Sequence, residues 1–154
     1  MSGAFDRYLH DVLIRGEAEA RAESSPTIEA HHVLLAMTAP QDTAARAILA
    51  EAGLDQAGVR AALRREFEHS LAAAGVSADA FDLRSTPAPE RRPQLGASVK
   101  LAIERLAATH RKKDLRPVHV LIGVLQAEVG TVPRALALAG VDRAALAERA
   151  RAAL

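Results

Sequence analysis

The side chains best suited to proton transfer or metal ligation in this chain are its six histidines, and two of them, His32 and His119, have closely similar surroundings. The first lies in Ala30-His31-His32-Val33-Leu34-Leu35-Ala36-Met37, the second in Pro117-Val118-His119-Val120-Leu121-Ile122-Gly123-Val124. Imidazole serves near neutral pH as a general base or a metal ligand. A zinc site on one helix wants histidines a full turn apart, whereas adjacent His31 and His32 project about 100° apart. His10, His69 and His110 are scattered, so no metal is expected, and a packed histidine bonded to backbone is the favoured reading of His32 and His119. With no cysteine there is no thiol nucleophile, disulfide or thiolate site. Ser24, Ser25, Ser70, Ser77, Ser85 and Ser98 lack a Gly-x-Ser-x-Gly context, and no Gly-x-x-x-x-Gly-Lys-[Ser/Thr] phosphate loop occurs. Catalysis is therefore not expected, and no cofactor is called for.

The elements that must position these residues are helical and duplicated. His119 follows His32 by 87 positions, and the same offset carries Leu49 to Leu136, Ala52 to Ala139, Gly53 to Gly140 and Asp55 to Asp142. One register held through a motif and a distant turn marks an internal repeat. The chain reads as a single domain, 1–154, with one repeat over about 5–74, a connector over about 75–94 and a second repeat over about 95–154. Phe5, Leu9, Val12, Leu13, Gly16 and Ala20 recur at helical spacing and predict a helix over about 5–23, ended by Ser24-Ser25-Pro26. Glu29 caps a second helix that closes at Pro40. Asp42 is expected to cap a third, ended by Gly53. Asp55 caps a fourth, with Val59, Leu63 and Phe67 on its buried side. In the second repeat Leu95, Val99, Ala102, Ile103, Leu106 and His110 form the first stripe, followed by helices near 117–127, 131–139 and 143–153. The fold class is all-α, two pseudo-symmetric repeats of four helices. Pro87, Pro89 and Pro93, with Glu90-Arg91-Arg92, suit an exposed connector.

Composition agrees: 49% of residues are hydrophobic and 25% charged, a globular balance rich in helix formers. Lys plus Arg number 20 against 19 Asp plus Glu, a formal charge of +1 that argues against a dedicated polyanion binder. Arg111-Lys112-Lys113 with Arg116 is the densest basic cluster. With one Tyr and no Trp in the whole chain, a solvated helix end is favoured over a nucleic-acid contact. No apolar run is long enough to span a membrane, and the start lacks a secretory pattern, so a cytoplasmic location is expected.

A duplicated four-helix unit whose second helix carries His followed by Leu-Leu, and whose third ends in Gly-apolar-Asp, resembles the N-terminal domain of the Clp/Hsp100 unfoldases. Ile28-Glu29-Ala30-His31-His32-Val33-Leu34-Leu35 with Ala52-Gly53-Leu54-Asp55 carries the resemblance in the first copy. Leu115-Arg116-Pro117-Val118-His119-Val120-Leu121-Ile122 with Ala139-Gly140-Val141-Asp142 carries it in the second. It implies a non-enzymatic docking domain for adaptors and substrates of an ATP-driven unfolding ring, here a stand-alone relative or a stretch of a longer unfoldase. Partners would be unfoldase, adaptor or substrate proteins of a Clp-type proteolytic system, or a peptide or cyclic peptide. The motif residues His32, His119, Gly53, Gly140, Asp55 and Asp142 would be structural. The docking surface would join Phe5, Asp6, Tyr8 and Leu9 to Arg91, Arg92, Gln94 and Leu95, beside Val99. Some family members bind phosphorylated arginine through a Glu before each motif His. His31 and Val118 stand there in this chain, so that activity is not expected. Alternative readings are a helical protein that sequesters a small molecule such as an antibiotic between its repeats, and a nucleic-acid-contacting helical regulator.

Overall fold

A computed structural model describes residues 3–41, 43–75 and 91–154. The chain forms α1 (Gly3–Ala22), β1 (Thr27–Ile28), α2 (Ala30–Met37), α3 (Ala44–Glu51) and α4 (Gln56–Ala73). The second half follows with β2 (Gln94–Leu95), α5 (Ala97–Thr109), a 3-10 turn (Lys112–Asp114), α6 (Pro117–Leu125), α7 (Thr131–Leu138) and α8 (Arg143–Ala152). The starts of α6, α7 and α8 lie 87 positions after those of α2, α3 and α4 (117 − 30, 131 − 44, 143 − 56), so the sequence repeat is a repeat of helices.

The matching turns are built alike. Gly53 and Gly140 take φ of 76° and 74°, a left-handed conformation that suits glycine at a helix end. Asp55 accepts a hydrogen bond from Gly58 N–H at 2.8 Å, and Asp142 accepts one from Ala145 N–H at 3.1 Å. Each removes an otherwise unpaired donor from a helix start. Asp42 lies outside the described residues, and the cap of α3 is Thr43, whose hydroxyl accepts from Arg46 N–H at 3.1 Å.

α2 and α6 form the centre. Every residue of α6 from Val118 to Leu125 is buried, which explains why that segment is apolar all round instead of striped. α1 packs on α2, α5 and α8 pack on α6, and α4 packs across the repeat boundary on α7. Helix α4 turns differently from its predicted face: Val59, Ala62 and Glu66 are buried, while Phe67 is 48% exposed. Glu66 is held inside by Arg134 Nε at 3.0 Å and by the Ser70 hydroxyl at 2.7 Å. These partners offset the cost of burying a carboxylate.

Leu95 and Gln94 do not begin a helix. They pair in parallel with Ile28 and Thr27, with Gln94 N–H donating to Pro26 O at 3.1 Å and Gly96 N–H donating to Ile28 O at 2.9 Å. Two-residue strands carry no alternation that a sequence could display. The clip is closed by Ser98, whose hydroxyl accepts from Ala30 N–H at 2.7 Å and donates to the Glu29 carboxylate. A Cβ on Gly96 would lie 1.7 Å from a Glu29 carboxylate oxygen, so any side chain there would displace Glu29 from Ser98.

Candidate functional site

At the end of α1 the chain reverses through Ser24, which adopts φ of 58°, unusual for a residue with a side chain. Ser25 N–H donates to Ala20 O at 2.8 Å and the Ser25 hydroxyl donates to Thr27 O at 2.7 Å. The reversal sets the Glu23 carboxylate over the first turn of α2. There His32, fully buried, accepts a hydrogen bond at Nδ1 from Glu29 N–H at 2.9 Å. A neutral ring with Nδ1 so engaged carries its proton on Nε2, and Nε2 donates to the Glu23 carboxylate. His31 Nε2 lies 3.1 Å from the same oxygen. The hydrogen bonds from His31 and His32 hold the Glu23 carboxyl well below the usual carboxylate range, against the opposing effect of its partial burial.

Adjacency on a helix separates the two imidazoles, yet one atom of each of His31, His32 and Glu23 lies within 4.8 Å of the others. Neither the adjacency of His31 and His32 nor the scatter of His10, His69 and His110 bears on Glu23, which the left-handed Ser24 turn brings to both rings.

Glu23 and His31 form part of the wall of an open cleft of about 530 Å³ between α1, α2, α4 and α7. Leu35, Leu63 and the exposed ring of Phe67 give it an apolar floor, and Thr131 closes it from the second repeat. Its charged rim is paired, Arg60 with Glu19 at 2.7 Å and Arg64 with Glu68 at 3.1 Å, and the buried Glu66 pairs with Arg134 at 3.0 Å.

In the second repeat His119 Nδ1 accepts from Arg116 N–H at 2.9 Å, the same backbone bond that His32 makes. The position matching Glu23 is His110 (110 − 23 = 87). Its ring meets His119 edge-on with centroids 4.3 Å apart. Burial, followed by the charge of His110, lowers the pKa of His119. Val118, matching His31, is buried.

The residues singled out for docking do not form one surface. Phe5 and Tyr8 are core residues, 7% and 9% exposed, and Leu9 packs against that core. Burial lifts the Tyr8 hydroxyl to about 12, and that hydroxyl has no hydrogen-bond partner among the described residues. Such a group contributes to packing and is closed to a partner. Asp6 is exposed and pairs with Lys112 at 3.4 Å, while Arg92 pairs with Glu17 at 2.7 Å. Eleven positions of helix separate Asp6 from Glu17, about 16 Å along the axis. Arg91 and Gln94 are exposed and Leu95 is half-buried, all at the Glu17 end. The crevice lined by Leu9, Leu13, Val99, Ile103 and Leu106 encloses only about 10 Å³, room for no more than about one water.

The architecture thus defines a class: a duplicated four-helix domain whose repeats pack helix on helix and are joined by a short parallel clip. A family model described as the Clp repeat (R) N-terminal domain matches residues 4–91, and the chain belongs to that family. None of the curated proteins matches its sequence. The family is a non-catalytic domain family associated with the Clp system. Among the described residues no helix is long and apolar enough to cross a membrane.

Proposed function

We propose that the domain is a docking module of a Clp-type proteolytic system, acting as docking domain, adaptor or competitor for an unfoldase, adaptor or substrate protein. Family membership supports the setting. The observation that carries the reading to a place on the molecule is the open cleft between α1, α2, α4 and α7, with Phe67 half-exposed on its floor. Docking there needs no covalent chemistry: an apolar side chain of the partner covers Phe67, Leu35 and Leu63, and the paired charges at the rim exclude an unbalanced charge.

Purified unfoldase and adaptor proteins of the source cell, titrated against the labelled domain, test this. A saturable complex is expected, weakened at least about tenfold by Phe67→Asp, because a charge would replace an exposed aromatic anchor. An Arg91/Arg92/Gln94 triple alanine variant is expected to bind normally. Loss in the triple variant with none in Phe67→Asp would move docking to the clip end of α1. No complex with any component would count against the module reading. Phosphoarginine peptides are expected not to compete, since His31 and Val118 offer no free carboxylate at the positions where the family's Glu would stand.

A further inference from the structure

We propose that Glu23 and His31 form a zinc-type divalent cation site in the wall of the cleft, with His32 acting as the positioning residue that holds the Glu23 carboxylate. Three observations converge on it. A ligand atom from each of Glu23, His31 and His32 falls within 4.8 Å of the others. Glu23 and His31 both line the open cleft. His32, by contrast, is 0% exposed. An imidazole nitrogen beside a carboxylate oxygen is a donor pair taken by zinc and its first-row neighbours, whereas magnesium and calcium favour oxygen alone.

Proton placement divides the labour among the three. Ligation by His32 through Nε2 would send its proton to Nδ1, where it would face the Glu29 N–H now donating at 2.9 Å. Two donors pointing at each other would break the start of α2. His32 therefore keeps its Nε2 proton on one Glu23 oxygen, an outer hydrogen bond of the kind that orients a ligating carboxylate. His31 has no such backbone commitment. Its Nε2 lies 3.1 Å from that same Glu23 oxygen, whose second lone pair is available to an ion that takes the place of the proton between them while the first keeps the His32 proton. Two protein ligands leave about two positions of a tetrahedral ion open toward the cleft, for water or a side chain of a docked molecule. The second repeat cannot repeat the arrangement, because His110 and Val118 stand where Glu23 and His31 would be.

The inference stands apart from the docking reading and is tested without a partner. Zinc chloride is titrated into the full chain near neutral pH, followed by calorimetry and by nitrogen NMR of the histidine rings. One saturable site is expected, with the His31 Nε2 resonance moving and His32 keeping its Nε2–H tautomer. His31→Ala and Glu23→Gln are each expected to weaken binding at least about tenfold, Glu68→Gln to leave it unchanged, and magnesium at equal concentration to give no signal. Absence of saturable binding up to millimolar zinc overturns the site. So does a wild-type spectrum in which His31 stays unmoved or His32 loses its Nε2 proton, a readout that holds whether or not the variants fold.

Discussion

Position for position, the first and second repeats build the same start to their central helix and then diverge at the atom beyond it. In both, the motif histidine turns Nδ1 back to accept a backbone N–H, at 2.9 Å in each case. The first repeat then sets the Glu23 carboxylate on Nε2, and the second sets the His110 ring edge-on to the imidazole. The backbone bond belongs to the fold, since it pairs a donor that the helix start leaves free. The outer partner is free to vary, and there the two copies have acquired opposite electrostatics. The hydrogen bonds from His31 and His32 favour the ionised Glu23 carboxylate, whereas burial and the neighbouring His110 disfavour a proton on His119. That carboxylate also lines the open cleft, whose lining is drawn from the first repeat except for Thr131.

The comparison is tested most severely by removing the shared element. His32→Ala and His119→Ala each delete a buried ring and leave a helix-start N–H without a partner. Each is expected to cost about 3 kcal/mol, read by urea unfolding. His32→Ala is expected to cost more, because His32 also holds Glu23 while His119 meets another imidazole. Equal losses would mean that the outer partner contributes nothing to stability.

The two outer partners predict acid responses in different windows, at His119 below about 6.5 and at Glu23 only below the ordinary carboxylate range. The pKa of His119 is lowered in the fold by burial and then by the charge of His110, with the Arg116 backbone bond opposing. A histidine held neutral in the folded state binds fewer protons there than in the unfolded chain. Its contribution to stability is therefore complete above the unfolded value of about 6.5 and is lost as pH falls below it. Tm is expected to drop on acidification through that window. His110→Glu, which gives the second repeat the outer partner of the first, is expected to flatten the drop. An unchanged slope in His110→Glu would show that burial alone sets the acid response.

How far these features were readable in the sequence follows from how local their causes are. The offset of 87, the glycines at 53 and 140 and the caps at Asp55 and Asp142 are local signals, and each stands where the pattern placed it. Phe67 misled because Leu63 and Phe67 share a stripe with Val59 at helical spacing. Tertiary contact with Arg134 instead drew Glu66 inward and left Phe67 toward the cleft. Glu23 was invisible for a different reason. Its reach to His31 and His32 depends on a left-handed serine, and Ser24 advertises no such conformation. The resemblance puts Phe5 and Tyr8 on a surface, while their apolar bulk puts them in the core.

The smallest expected effect sharpens the comparison from the side of sameness. Asp55 and Asp142 cap helices of different length, 18 and 10 residues, through one bond each, at 2.8 and 3.1 Å. A capping bond is local: the side-chain oxygen pairs a single N–H in the first turn, whatever the helix does further on. Asp55→Ala and Asp142→Ala should therefore each cost about 1 kcal/mol, and their double variant about the sum, since the sites share no partner. A cap worth markedly more on α4 would show that its helix is held chiefly from its start. The Arg134 contact to Glu66 would then be secondary, and the two copies would differ in framework as well as at the motif histidine.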